Sequence, residues 1–171
     1  MNNTESKEST LTFTQFIQVA EKIGAKMIEY PIKFTSKAAA TSGIFNTWKV
    51  QSFKNEAICA VPNEFGGSGG GFSPEDFFAQ ALMNCFLATF KVYAEGSKIL
   101  YSEVEVSCEL TVDKNESGQP IMSHFMIHIL IKDGQRPDRI EQVVLKALRS
   151  GFILNSVKTK IEHSLKIEEK V

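Results

Sequence analysis

Hydrophobic positions recur along this chain with two different periods, and the changes of period mark the elements. Phe13, Phe16, Ile17, Ala20, Ile23 and Met27 are spaced by three and four residues, so they share one stripe of an amphipathic helix. Pro31 ends it, and the polar residues 1 to about 10 form a loose tail before it. From about residue 32 to 61, β-branched and aromatic residues alternate with turn signals at Gly43 and Lys54-Asn55, which predicts three strands in a meander. Ser73-Pro74-Glu75-Asp76 then opens a second helix. Ser73 caps it, Pro74 suits its first position, and Asp76 completes a capping box. The helix runs to about Glu95, with Gly96 as terminator. Its expected apolar stripe is Phe78, Ala81, Leu82, Cys85, Ala88, Thr89 and Val92, which sets Cys85 near the middle of a buried face.

The period switches to two over residues 103 to 112. Val104, Val106, Cys108, Leu110 and Val112 face one way and polar residues the other, the mark of a half-buried strand. A turn at Asn115 to Pro120 leads to a second strand, Met122 to Ile131, with Phe125, Ile127, Ile129 and Ile131 inward. A helix from Pro137 turns Ile140, Val143, Val144, Ala147 and Leu148 inward and stops before Gly151. A last strand lies near Ile161 to Ile167. The order of strands, helix, strands, helix and strand is that of an α+β fold. At 171 residues the chain is read as one domain, 1–171, with residues 1–30 as an extra N-terminal tail and helix.

Composition narrows the function classes. Nineteen Lys and Arg against twenty Asp and Glu give a formal net charge of -1, without the basic excess of a nucleic-acid binder. No apolar run reaches about 18 residues, and the N-terminus lacks the apolar core of a signal peptide, so no membrane partner is expected. Three cysteines without a secretion signal point to free thiols in a reducing cytoplasm.

Of the three, Cys108 belongs to a strand core and Cys59 to a strand end, where cysteine acts as a small hydrophobe. Cys85 on a helix is the candidate nucleophile, because a thiol reacts as thiolate and helix positions near basic groups favour that form. His124 and His128 lie four apart on one strand face, about 13 Å, too far to chelate one metal. No cluster has metal-ligand spacing, so neither metal nor cofactor is expected. The glycine-dense stretch Gly66 to Gly71 lacks the Gly-Lys-Ser/Thr ending of a phosphate loop and reads as a plain flexible loop.

One longer pattern carries more. Pro62-x-Glu64-x-Gly66-Gly67-x-Gly69-Gly70, then Pro74-Glu75-x-x-Phe78, then Asn84-Cys85-Phe86 resembles the organic hydroperoxide resistance branch of the OsmC family, without a gap from Pro62 to Phe86. The resemblance implies an intertwined homodimer of α+β subunits, with antiparallel sheets packed on a central cysteine-bearing helix and two sites at the interface. It implies a thiol-dependent peroxidase of organic hydroperoxides, serving oxidative-stress defence and reduced by a dithiol. Carried over by position, Cys85 is the peroxidatic cysteine and Glu75 the carboxylate of its site. The family's activating arginine falls on Ile44, and its resolving cysteine on Gly151, or on Phe152 with an offset of one. Arginine occurs only at 136, 139 and 149. The expectation is therefore a one-cysteine or weakened peroxidase. The alternative is a non-catalytic member binding an apolar small molecule at the dimer interface.

Overall fold

The computed structural model describes residues 31–169. The loose tail and the helix expected over Phe13–Met27 lie outside the described residues. The expected meander is present as β1 (Ser36–Ala39), β2 (Trp48–Ser52) and β3 (Asn55–Cys59), antiparallel in that order. Its second turn comes one residue earlier than the sequence signals place it. Phe53 and Lys54 form it, and Asn55 already pairs with Ser52. Phe53 takes a positive φ of 58°, as the tight hairpin turn demands, and its ring is 91% exposed.

The glycine-dense stretch is a hydrogen-bonded loop. Asn63–Phe65 form a 3-10 turn, and the N–H groups of Gly67 and Gly69 donate to Pro62 O and Val61 O, each at 3.1 Å. A Cβ on Gly67 would stand 2.1 Å from Val61 O, so only glycine fits there. The loop returns to β3 through a bridge between Cys59 and Phe72.

Helix α1 (Pro74–Gly96) begins as its sequence predicts. Asp76 N–H donates to Ser73 Oγ at 3.0 Å, and Ser73 N–H donates to Asp76 Oδ2 at 2.8 Å. Gly96 is the last helical residue, and the left-handed residue beyond it is Lys98, φ 53°. The buried stripe differs from the expected one. Leu82, Phe86, Thr89, Phe90, Tyr93 and Ala94 are buried, Cys85 is half-buried on the flank, and Ala88 is exposed. The cause is that α1 is apolar around most of its circumference, so periodicity does not single out one inward face. By length and composition α1 would also suffice to cross a bilayer. Here it packs against the second helix and a strand, as a core helix does.

The second sheet contains β4 (Glu103–Lys114), β5 (Pro120–Gly134) and β6 (Lys160–Glu169), in that order, with α2 (Pro137–Ser150) between β5 and β6. β4 and β5 are antiparallel. β5 and β6 are parallel, which departs from the expected all-antiparallel sheets. The reason is α2: a helical crossover returns the chain to the same end of the sheet. A register shift at Thr111/Val112 turns Val112 outward, against the strict alternation expected of it. The core forms where Leu82, Phe86 and Phe90 of α1 meet Phe125, Ile127, Ile129 and Ile131 of β5 and Ile140, Val143, Val144 and Ala147 of α2.

Candidate active site

Cys85 stands at the midpoint of α1. Its carbonyl accepts a 2.8 Å hydrogen bond from Thr89 Oγ1, and its free thiol is half-buried. What lies against the sulfur comes from the end of α2. Gly151 N–H closes the helix on Ala147 O at 3.1 Å, and the chain then folds back on itself. Asn155 N–H donates to Gly151 O at 2.9 Å, and Asn155 Nδ2 to Arg149 O at 2.8 Å. Gly151 has φ −65° and ψ 124°, values open to any residue. Its neighbours are what exclude a side chain. A Cβ there would stand 2.8 Å from Leu154 Cδ1 and 2.9 Å from Cys85 Sγ. Of the two positions left open for the resolving cysteine, Gly151 is thus the one that meets Cys85, while Phe152 is exposed.

Glu75 lies in the first turn of α1. Its Oε2 is buried without a hydrogen-bond partner among the described residues. The helix runs unbroken from Glu75 to Cys85, so the two are about 15 Å apart along the axis and do not touch. Ile44, in the arginine's register, is an exposed apolar side chain in the β1–β2 connection. That connection is tied to the glycine loop by Ser68 Oγ donating to Phe45 O at 3.0 Å. No hydrogen bond reaches the Cys85 sulfur among the described residues.

The other thiols are packing residues. Cys59 is 2% exposed at the end of β3, and Cys108 is half-buried on β4 opposite Ile127. Burial pushes both thiols above the usual cysteine range. His124 Nε2 meets Glu162 Oε2 at 2.7 Å and His128 Nδ1 meets Ser164 Oγ at 2.7 Å, each across the β5–β6 pair. Two contributors to the surroundings of α1 escape sequence reasoning. Leu154 closes over Gly151. Lys146 sets its ammonium 4.1 Å over the Tyr93 ring, and burial lowers its pKa. Tyr93 lies two turns beyond Cys85 on α1.

Known proteins share this fold. An OsmC-like protein of unknown function from Vibrio cholerae superposes with a TM-score of 0.71 at 14% identity, covering 80% of this chain and 100% of that one. An organic hydroperoxide resistance protein from Legionella pneumophila gives 0.63 at 21% identity, covering 82% of this chain and 99% of its own. The organic hydroperoxide resistance protein of Bacillus subtilis gives 0.57 at 20% identity, covering 79% and 98%. At these identities the likeness is one of fold. An uncharacterized protein of Acinetobacter baylyi is 36% identical over 69 residues, which is 39% of this chain and 47% of that protein. The chain thus spans about half the length of that curated relative. The family model described as OsmC-like protein matches residues 67–166, a segment that holds α1, α2, β4, β5, most of β6, Cys85 and Gly151, and on that match the chain belongs to the OsmC-like protein family.

Proposed function

We propose that this protein is a one-cysteine thiol peroxidase of organic hydroperoxides, working in a reducing cytoplasm. One observation carries the reading: the residue in the family's resolving register is the one packed against Cys85 Sγ, at 2.9 Å for its would-be Cβ. The Cys85 thiolate attacks the terminal oxygen of the hydroperoxide. The O–O bond breaks, Cys85 becomes a sulfenic acid, and the alkoxide leaves and takes a proton to give the alcohol. Glu75 acts in this scheme only through a cation set between it and the sulfur, and a second copy of the chain supplies that cation.

A homodimer fits the surface. Phe34 before β1, Phe45 in the β1–β2 connection and Phe53 in the β2–β3 turn are strongly exposed, and Phe72 and Phe77 beside the start of α1 are partly exposed. An apolar surface of this extent marks an interface. The assay is turnover of cumene or linoleic hydroperoxide with dihydrolipoamide, beside Cys85→Ser. Turnover that survives in Cys85→Ser, or no turnover in the natural protein, would sink the reading. Sedimentation velocity checks the dimer.

A second reading rests on a groove of about 610 Å³ in which Ala38, Val50, Ala57 and Phe77 are joined by polar residues that include Lys37 and Glu56. It is shaped for an apolar small molecule bound without turnover. A hydrophobic ligand retained in native mass spectrometry, with no Cys85-dependent turnover, favours this one.

A further inference from the structure

We propose that the apolar stripe of the first 30 residues seats in the groove of the first sheet of its own chain, as a built-in cover. The inference does not rest on the peroxidase reading, and it competes with the apolar-ligand reading for the same place.

The groove is a face of small side chains. Ala38, Val50 and Ala57 stand in one row across β1, β2 and β3, and directly opposed residues share a face of the sheet. Phe77 of α1 also lines the groove, with its ring 5.3 Å from that of Phe72. Small residues beside a space of about 610 Å³ leave room for large side chains to enter.

The sequence holds side chains of the right kind and spacing. Phe13, Phe16, Ile17 and Ala20 stand at i, i+3, i+4 and i+7, the anchors by which an amphipathic helix fills an apolar groove. Ile23 and Met27 prolong the stripe. The chain also leads to the right place. Met27 precedes Ser36, which lines the groove, by nine residues, a reach of at most about 30 Å. Ile32 and Phe34, within that tether, are exposed apolar side chains. So short a tether holds the stripe at high effective concentration beside the groove. The three solved relatives are matched almost end to end by about four-fifths of this chain, which leaves about a fifth, the length of residues 1–30, as an addition.

Charge favours this segment over a second copy of the sheet. Residues 31–59 carry four lysines and one glutamate, and that glutamate, Glu56, is already paired with Lys49. Lys33, Lys37 and Lys54 have no ion pair among the described residues. A second copy laid on this face would set lysines against lysines, whereas the first 30 residues bring Glu5, Glu8, Glu21 and Glu29 against three lysines. The homodimer contact is then left to Phe45, Phe53 and Phe72.

The test takes the full-length protein with benzoylphenylalanine in place of Phe16, a side chain that bonds to its neighbours on irradiation. Peptide mass spectrometry should find it joined to residues 36–57 or to Phe77, within a chain of single-copy mass. Ala57→Arg, which plugs the groove, should abolish that adduct. In a second measurement, Phe16→Asp combined with Ile23→Asp should speed hydrogen exchange across β1–β3 severalfold and leave the sedimentation coefficient unaltered. Several results overturn the proposal. One is no adduct, or an adduct on other residues. Another is an adduct at doubled mass, which makes a second copy the occupant. Exchange across β1–β3 that does not respond to the double change also overturns it. So does an apolar small molecule retained by the natural protein in native mass spectrometry and lost in Ala57→Arg. None of these readouts depends on Cys85, so the peroxidase reading stands or falls separately.

Discussion

Gly151→Cys should make stability depend on redox state, with opposite signs in the two states. In a disulfide, the carbon that carries one sulfur lies about 3 Å from the other sulfur, given an S–S bond of about 2.05 Å. The Cβ position at Gly151 stands 2.9 Å from Cys85 Sγ. The backbone therefore already holds bridging geometry. For a loop closed from residue 85 to residue 151, the chain-entropy relation gives about 4 kcal/mol. That corresponds to a rise of about 10 °C in Tm for a chain of this size. In the reduced variant no bond relieves the overlap with Leu154 Cδ1 at 2.8 Å and with Cys85 Sγ. Overpacking of that kind costs about 1–3 kcal/mol, so the reduced variant should melt below the natural protein. Thermal melts with mild oxidant and with phosphine reductant read both signs, and a thiol titration should show two thiols lost on oxidation. Phe152→Cys, at an exposed neighbour, should not bridge. If the introduced thiol at position 151 and Cys85 both stay titratable under oxidant, the placement of the α2 end against Cys85 is wrong.

Other perturbations test separate parts of the molecule. Phe86, at 0% exposure between α1 and the second sheet, should lose about 3–5 kcal/mol on change to alanine, read as a drop in the urea midpoint. An unchanged midpoint would mean α1 does not pack there. Ser73→Ala should cost about 1 kcal/mol by removing the acceptor for Asp76 N–H, whereas Ser73→Asp should restore most of it in the same melt. Glu162 has its pKa lowered by hydrogen bonding to the Lys160 ammonium first and to His124 second. A depressed carboxylate contributes stability that is present above its unfolded pKa of about 4.3 and is lost as pH falls toward the folded value. Glu162→Gln should flatten the acid limb of the Tm–pH curve below about pH 5, and an acid limb of unaltered steepness would contradict this.

Strand and helix identities were legible because local chemistry and burial agree there. The capping box at Ser73 and Asp76 and the period-two run of β4 and β5 each need only a few neighbouring residues. The inward face of α1 was not legible. Four phenylalanines and four alanines among its 23 residues leave the helix apolar on several sides, and the face that meets β5 is chosen by long-range packing. The same limit applies to Glu75. Its place at the start of α1 follows from Pro74, but its orphaned oxygen is a fact of its three-dimensional surroundings. Cys85 and Gly151 stand far apart in the chain, and the pattern offered two registers for the second. Only the fold of the 151–156 segment, pinned by Asn155, decides between them.

The strand order β4-β5-β6 also has a consequence for biosynthesis. β5 is the middle strand and carries the most buried side chains of its sheet, yet one of its two edges is closed only by β6. β6 follows α2 in the chain, so a ribosome finishes β5 and the whole crossover helix before the covering strand exists. During that interval the nascent chain presents Phe125 to Ile131 as an open edge, the kind of template that recruits a neighbouring chain. Synthesis at about 5–20 residues per second leaves that edge open for seconds. Chains stalled or cleaved just before Lys160 should therefore partition to aggregates even though α1, α2 and more than nine-tenths of the residues are present.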